Sequence, residues 1–119
     1  MPIPSRVLAS GNSPLSTQSI CGDGATALVA TGTTITDALQ LSAVWNTLTT
    51  SSASTGVILP PTEVGAMIGL RNDSGQTITV YPKASSTINA GASSLSVSTA
   101  KTVILFATSA TTWASVTTA

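Results

Sequence analysis

Five side chains in this 119-residue sequence could in principle take part in chemistry: Cys21, Asp23, Asp37, Glu63 and Asp73. There is no histidine, which removes Ser-His-Asp and Cys-His catalysis and the commonest zinc ligand. A single cysteine supplies neither a thiolate cage nor an internal disulfide. No cation or base stands near Cys21 in the sequence to make it a reactive thiol, so it reads as a small buried hydrophobe. Two carboxylates could cooperate in glycoside hydrolysis, but each has a local structural explanation. Asp23 sits in a Gly-Asp-Gly turn, Asp37 follows a strand, Glu63 follows a diproline and Asp73 lies in a turn. The spacing of an EF-hand calcium loop and that of a phosphate-binding Gly-x-x-x-x-Gly-Lys loop are both missing. The chain therefore reads as a non-enzyme that needs no metal or cofactor.

The composition is that of a packed, uncharged surface. Charged residues make up 7% against roughly 25% in ordinary soluble domains. Arg6, Arg71, Lys83 and Lys101 balance Asp23, Asp37, Glu63 and Asp73. Four scattered cations form no basic stripe for phosphates or anionic lipid, so neither nucleic acid nor a membrane is an expected partner. No apolar run is long enough to cross a bilayer as a helix, and the N-terminus does not read as a secretory signal. Serine and threonine supply about a third of the chain, far above ordinary usage. Aromatics are 3%, which leaves Ala, Val, Ile and Leu to build a core. Zero net charge leaves a free monomer colloidally vulnerable, a hint of a protein that lives assembled.

The elements that must carry these residues divide at position 24. Residues 1–24 contain Pro2, Pro4 and Pro14 among Ser and Gly. Ile3, Val7, Leu8, Leu15 and Ile20 show no clear period there. The segment reads as an extended N-terminal arm that is either docked or a disordered tail. Docking is favoured, because each aliphatic side chain is worth roughly 1.5–3 kcal/mol when buried.

Residues 25–119 read as one all-β domain of short antiparallel strands, a β-sandwich or a small β-barrel. Strands are expected at 25–31, 33–36, 56–61, 94–98, 101–108 and 111–117. Residues 38–50 alternate as a strand, although Leu41, Val44, Trp45 and Leu48 would also suit one face of a helix. Ile68 and Leu70, then Ile78 and Val80, flank Asn72-Asp73-Ser74-Gly75 and predict a hairpin with its aliphatic face inward. Asn72-Asp73-Ser74 is formally a glycosylation sequon, and its turn reading is preferred. Val103 to Ala107 is apolar on both faces. No strict repeat occurs, which argues against a solenoid. Trp45 and Trp113 read as core or subunit-contact residues.

From Gly56 to Val116 the order of features resembles small all-β virion proteins of tailed bacteriophages. Leu59-Pro60 and Gly65 precede Asn72, Gly75 and Val80-Tyr81-Pro82, and Ile88-Asn89, the apolar strand and Thr111 to Trp113 follow. The N-terminal IPSRVLASGN is similar as well. The resemblance implies a head decoration (cement) protein, a head fibre or a tail-fibre domain, commonly a homotrimer. A 119-residue chain with one domain has no room for a long shaft, so the decoration role is preferred. That role implies a place on the outer surface of the capsid, with the major capsid protein and sister subunits as partners. Ile3, Arg6, Val7, Leu8 and Leu15 would then be the capsid-contact arm, and Trp45, Tyr81 and Trp113 the subunit-contact candidates. The alternative is a fibre module that recognises host-surface glycans.

Overall fold

The computed structural model describes residues 3–118. Its N-terminal segment is helical rather than extended: α1 spans Pro4–Ala9 and α2 spans Pro14–Cys21. The two prolines that read as breakers each open a helix. There the missing N–H costs nothing and the fixed φ is already helical. Ser13 caps α2, its Oγ accepting from the Ser16 N–H at 3.1 Å, as expected for a serine N-cap. Gly22 ends α2 at φ +79°, and its N–H donates to the Gln18 carbonyl. No residue of α1 is buried, and only Thr17 and Cys21 of α2 are. The helices therefore sit against the body without sharing its core.

The body is mostly β, with 42% of the chain in strands. Ten strands follow: β1 (Gly24–Ala30), β2 (Leu39–Gln40), β3 (Trp45–Ser51), β4 (Gly56–Ile58), β5 (Met67–Asn72), β6 (Ile78–Tyr81), β7 (Thr87–Ile88), β8 (Leu95–Val97), β9 (Lys101–Ala107) and β10 (Thr112–Thr117). They form a six-stranded sheet in the order β1-β3-β5-β9-β10-β7 and a four-stranded sheet in the order β2-β4-β6-β8. Up to β6 the chain alternates between the sheets. β1, β3 and β5 stack in parallel on one side and β2, β4 and β6 on the other. Each pair of strands is thus one coil laid on the last, so the arrangement is solenoid-like and not the expected antiparallel sandwich or barrel. The coils lack a sequence repeat because their corners differ in length and chemistry. Beyond β6 the chain reverses: β8 and β9 run antiparallel to β6 and β5, and β10 antiparallel to β9. At the other edge β1 is irregular, with register shifts between Ala25 and Val29 and Ala27 at φ +58°.

The expected hairpin is replaced by an arc. Ile68, Leu70, Ile78 and Val80 are all buried, as the alternation requires. However, β5 and β6 belong to different sheets, and the four side chains meet across the core instead of lying side by side. Asn72 produces the difference. Its buried side chain donates to the Gln76 carbonyl at 2.7 Å and to the Val97 carbonyl of the other sheet at 2.9 Å. Its Oδ1 accepts from the Ser74 N–H and Oγ. An amide bonded in this way steers the chain across to the second sheet. The single strand expected over 38–50 is likewise split, into β2 and β3 in opposite sheets, with Leu41 and Ala43 buried at the corner. One core fills the space between the sheets, drawing Leu48, Leu70, Val103, Leu105 and Trp113 from one side and Val57, Ile78, Val80 and Val97 from the other.

Candidate functional site

The five arm residues are carried on the two helices. Ile3 is the N-cap residue of α1, Arg6, Val7 and Leu8 lie on α1, and Leu15 lies on the first turn of α2. Ile3, Arg6 and Leu8 are exposed, Val7 is half-buried and Leu15 is 77% exposed. Ile20 is exposed as well. An eight-residue and a six-residue helix thus present aliphatic side chains to the outside.

The three aromatic candidates fall into three different environments. Trp113 is fully buried, and its Nε1 donates to the Thr62 Oγ1 at 3.0 Å. It is a core residue with no surface to offer a sister subunit, which corrects the expected contact role. Tyr81 lies on the outer side of the four-stranded sheet. Its ring crosses Gly56, where an added Cβ would come within 2.8 Å of it, and its hydroxyl donates to the Thr33 carbonyl. Trp45 is half-buried on the outer side of the six-stranded sheet, over Gly69. Beneath it, Asn46 donates to the Ala43 and Gly69 carbonyls at 2.9 and 3.2 Å. The Asn46 Oδ1 is buried with no hydrogen-bond partner among the described residues.

Trp45 belongs to a larger surface that the sequence reading passed over. In cross-strand register Trp45 stands opposite Gly69, Gly69 opposite Ile104, and Ile104 opposite Val116. The neighbouring row runs Met67, Phe106, Ala114. These positions alternate with the buried Ile68, Leu70, Val103, Leu105 and Trp113, so they point away from the core. Phe106 is 40% and Val116 63% exposed. At the β3 end the face runs into an open cleft of about 300 Å³, lined by Ser19 to Gly22 of α2 and its exit together with Val44, Trp45 and Met67. Neither row contains a charge. The signal of this surface in the sequence is the stretch from Val103 to Ala107, apolar on both faces, of which one face lies here. The outer side of the four-stranded sheet is different: it carries Gln40, Thr79, Tyr81 and Ser96, its one aliphatic side chain, Ile58, is itself buried, and Lys83 donates to the Gln40 side chain.

Three of the four carboxylates, Asp23, Asp37 and Asp73, are bonded at separate structural positions, and Glu63 lies apart from them in the loop before β5. Asp23 Oδ1 accepts from the Val44 N–H at 2.9 Å and fixes the entry to β3. Asp37 Oδ1 accepts from the N–H groups of Thr33 and Thr34 and from the Thr34 hydroxyl. These hydrogen bonds, the Thr34 hydroxyl first, hold its carboxyl below the usual value. Asp73 pairs with Arg71 at 2.7 Å on the surface, where such a pair adds little stability. Among the described residues no three His, Cys, Asp or Glu side chains gather where they could hold a metal ion, and no helix is long and apolar enough to cross a membrane. Cys21 is buried beside the cleft. Asn72 of the sequon is buried and bonded, so it serves the arc and offers no acceptor nitrogen to a glycan.

Comparison with family models, with curated proteins and with solved structures finds no match to this chain.

Proposed function

We propose that this chain is a structural virion protein of a tailed phage, a homotrimeric decoration protein that binds the outer surface of the head through its N-terminal helices and the major capsid protein beneath them. The observation that carries the proposal is the contrast between α1–α2 and the body. The body has its own closed core. The helices contribute only Thr17 and Cys21 to the buried set and hold Ile3, Leu8, Leu15 and Ile20 outward. Side chains of that kind gain roughly 1.5–3 kcal/mol each on burial, and a second protein surface supplies it. The resemblance over Gly56 to Val116 names the kind of surface. Low charge, with Asp23, Asp37 and Asp73 each hydrogen-bonded in place, suits dense packing more than turnover, and three weak arms on one trimer reinforce one another by avidity.

The fibre reading asks for exposed aromatic rings as a sugar platform. Trp113 is buried, the Tyr81 hydroxyl is tied to the Thr33 carbonyl, and Trp45 and Phe106 are only partly exposed on a face with no other polar groups in their two rows to bond a sugar, so decoration is preferred.

The test is co-sedimentation of the protein with isolated phage heads that lack it. Removal of residues 1–12 together with Leu15→Ser keeps the Ser13 cap and α2. The thermal midpoint should stay within a few degrees while head binding falls at least tenfold. Unchanged head binding by this variant would remove the arm assignment, and no binding by the intact chain would remove the decoration role.

A further inference from the structure

The two exterior faces of the coil are chemically unlike, and that difference asks for an occupant on one of them. The outer side of the four-stranded sheet is polar and its one large ring is tethered. The outer side of the six-stranded sheet carries Ile104, Phe106 and Val116 in adjoining register, continuous with the Trp45–Met67 cleft beside α2. We propose that this face, centred on Phe106, is the surface through which copies of the chain associate. The proposal rests on the self-assembling reading above for its choice of occupant and adds the surface that performs it.

Charge and area favour a second copy. Across four strands spaced about 4.8 Å apart, two rows of apolar side chains give a patch of roughly a few hundred Å². That is the size of the dry centre of a standard interface, which covers about 800 Å² per partner and has a polar rim. The next row outward runs Thr47, Arg71, Thr102 and supplies a polar edge. The two apolar rows carry no charge, and the one cation bordering them, Arg71, is already paired with Asp73, so a partner that docks by charge finds little to pair with. A copy of this chain brings an equally uncharged face. With a formal net charge of zero, there is also no long-range repulsion between copies to overcome.

The experiment is light scattering on a sizing column for the intact chain from about 1 μM to about 1 mM, beside Phe106→Glu, Val116→Lys and, as a control on the other sheet, Ser96→Glu. The intact chain and Ser96→Glu should run at a fixed multiple of 11.8 kDa. Phe106→Glu and Val116→Lys should fall to a single chain that keeps the far-ultraviolet spectrum of the parent and still unfolds in one cooperative transition, at a midpoint lowered by the lost association. Both substitutions are on exposed positions, so a folded monomer is the expected product. Two results overturn the proposal: an intact chain that stays monomeric throughout the range, or folded patch variants that keep the parental mass. The same samples offered to isolated heads separate this proposal from the functional reading. An oligomer broken by Phe106→Glu that never binds heads keeps the interface and removes the decoration role.

Discussion

The six-membered ring of Trp45 occupies the place where a side chain on Gly69 would begin. A β-carbon built on Gly69 would lie 2.2 Å from the Trp45 Cε3 and 2.3 Å from its Cζ3. The two residues are direct cross-strand partners on parallel strands. The indole covers backbone that a glycine leaves bare, as aromatic residues do for glycines in sheets, and it lies flat enough to form a wall of the cleft beside α2.

Gly69→Ala should therefore force the indole off its seat. The expected cost is roughly 1–3 kcal/mol, as for overpacking elsewhere, with a red shift in the Trp45 emission. Trp45→Ala removes the collision, so Gly69→Ala should cost much less in that background. Chemical denaturation of all four members of the cycle checks this, and additive costs would show that the ring and the glycine do not share the space.

Asn72 is the residue that turns an apparent hairpin into an arc. Asn72→Ala leaves the Gln76 and Val97 carbonyls without their donor, at about 1–3 kcal/mol for each buried group left unpaired. Asn72→Asp should be at least as damaging at neutral pH, because it places a buried charge where a donor is needed. Thermal unfolding reads both. A variant as stable as the parent would mean that the bond to Val97 does not hold the sheets together.

Trp113 distinguishes a core residue from a contact residue. Trp113→Phe keeps most of the buried ring and loses the hydrogen bond to Thr62, for about 1 kcal/mol. Trp113→Ala should cost about 3–5 kcal/mol. Neither should dissociate an oligomer while the chain remains folded. Sizing of folded Trp113→Phe at unchanged mass is the expected result.

Asp37 gives the fold an acid-sensitive corner. Its carboxyl is held below the model-peptide value of 3.8 by hydrogen bonds from Thr34 and Thr33. Its pKa is thus lower in the folded chain than in the unfolded one. The stabilising contribution is complete above the unfolded value and is lost as pH falls through the folded one. The stability difference between the parent and Asp37→Asn, which keeps an acceptor and drops the charge, should be constant near neutrality and should shrink below about pH 4. A difference that stays flat down to pH 2 would show that the loop is indifferent to the charge.

Period-two alternation was legible and correct where it mattered for burial: Ile68, Leu70, Ile78, Val80, Val103 and Leu105 are inside. It could not say which strand pairs with which, because a hairpin and an arc bury the same side chains. The deciding atom was the Asn72 amide, and an asparagine before Asp-Ser-Gly reads as turn chemistry in either case. Pro4 and Pro14 misled for a related reason: a proline forbids a helix before it and favours one after it. The candidate surface was half legible. Phe106 and Ile104 stood in a run already seen to be apolar on both faces, but their alignment with Trp45, Met67 and Val116 depends on strand order, which alternation does not encode.

A coil of parallel strands has ends, and an open end is an invitation to grow. On the six-stranded sheet one end is β7, two residues long, and the other is β1, bent by its shifted register and by Ala27 at φ +58°. Neither offers the long straight row of unpaired amides that another chain could extend. The stacking is stopped at both borders of this sheet, so neither edge is a template for adding another chain end to end as a filament.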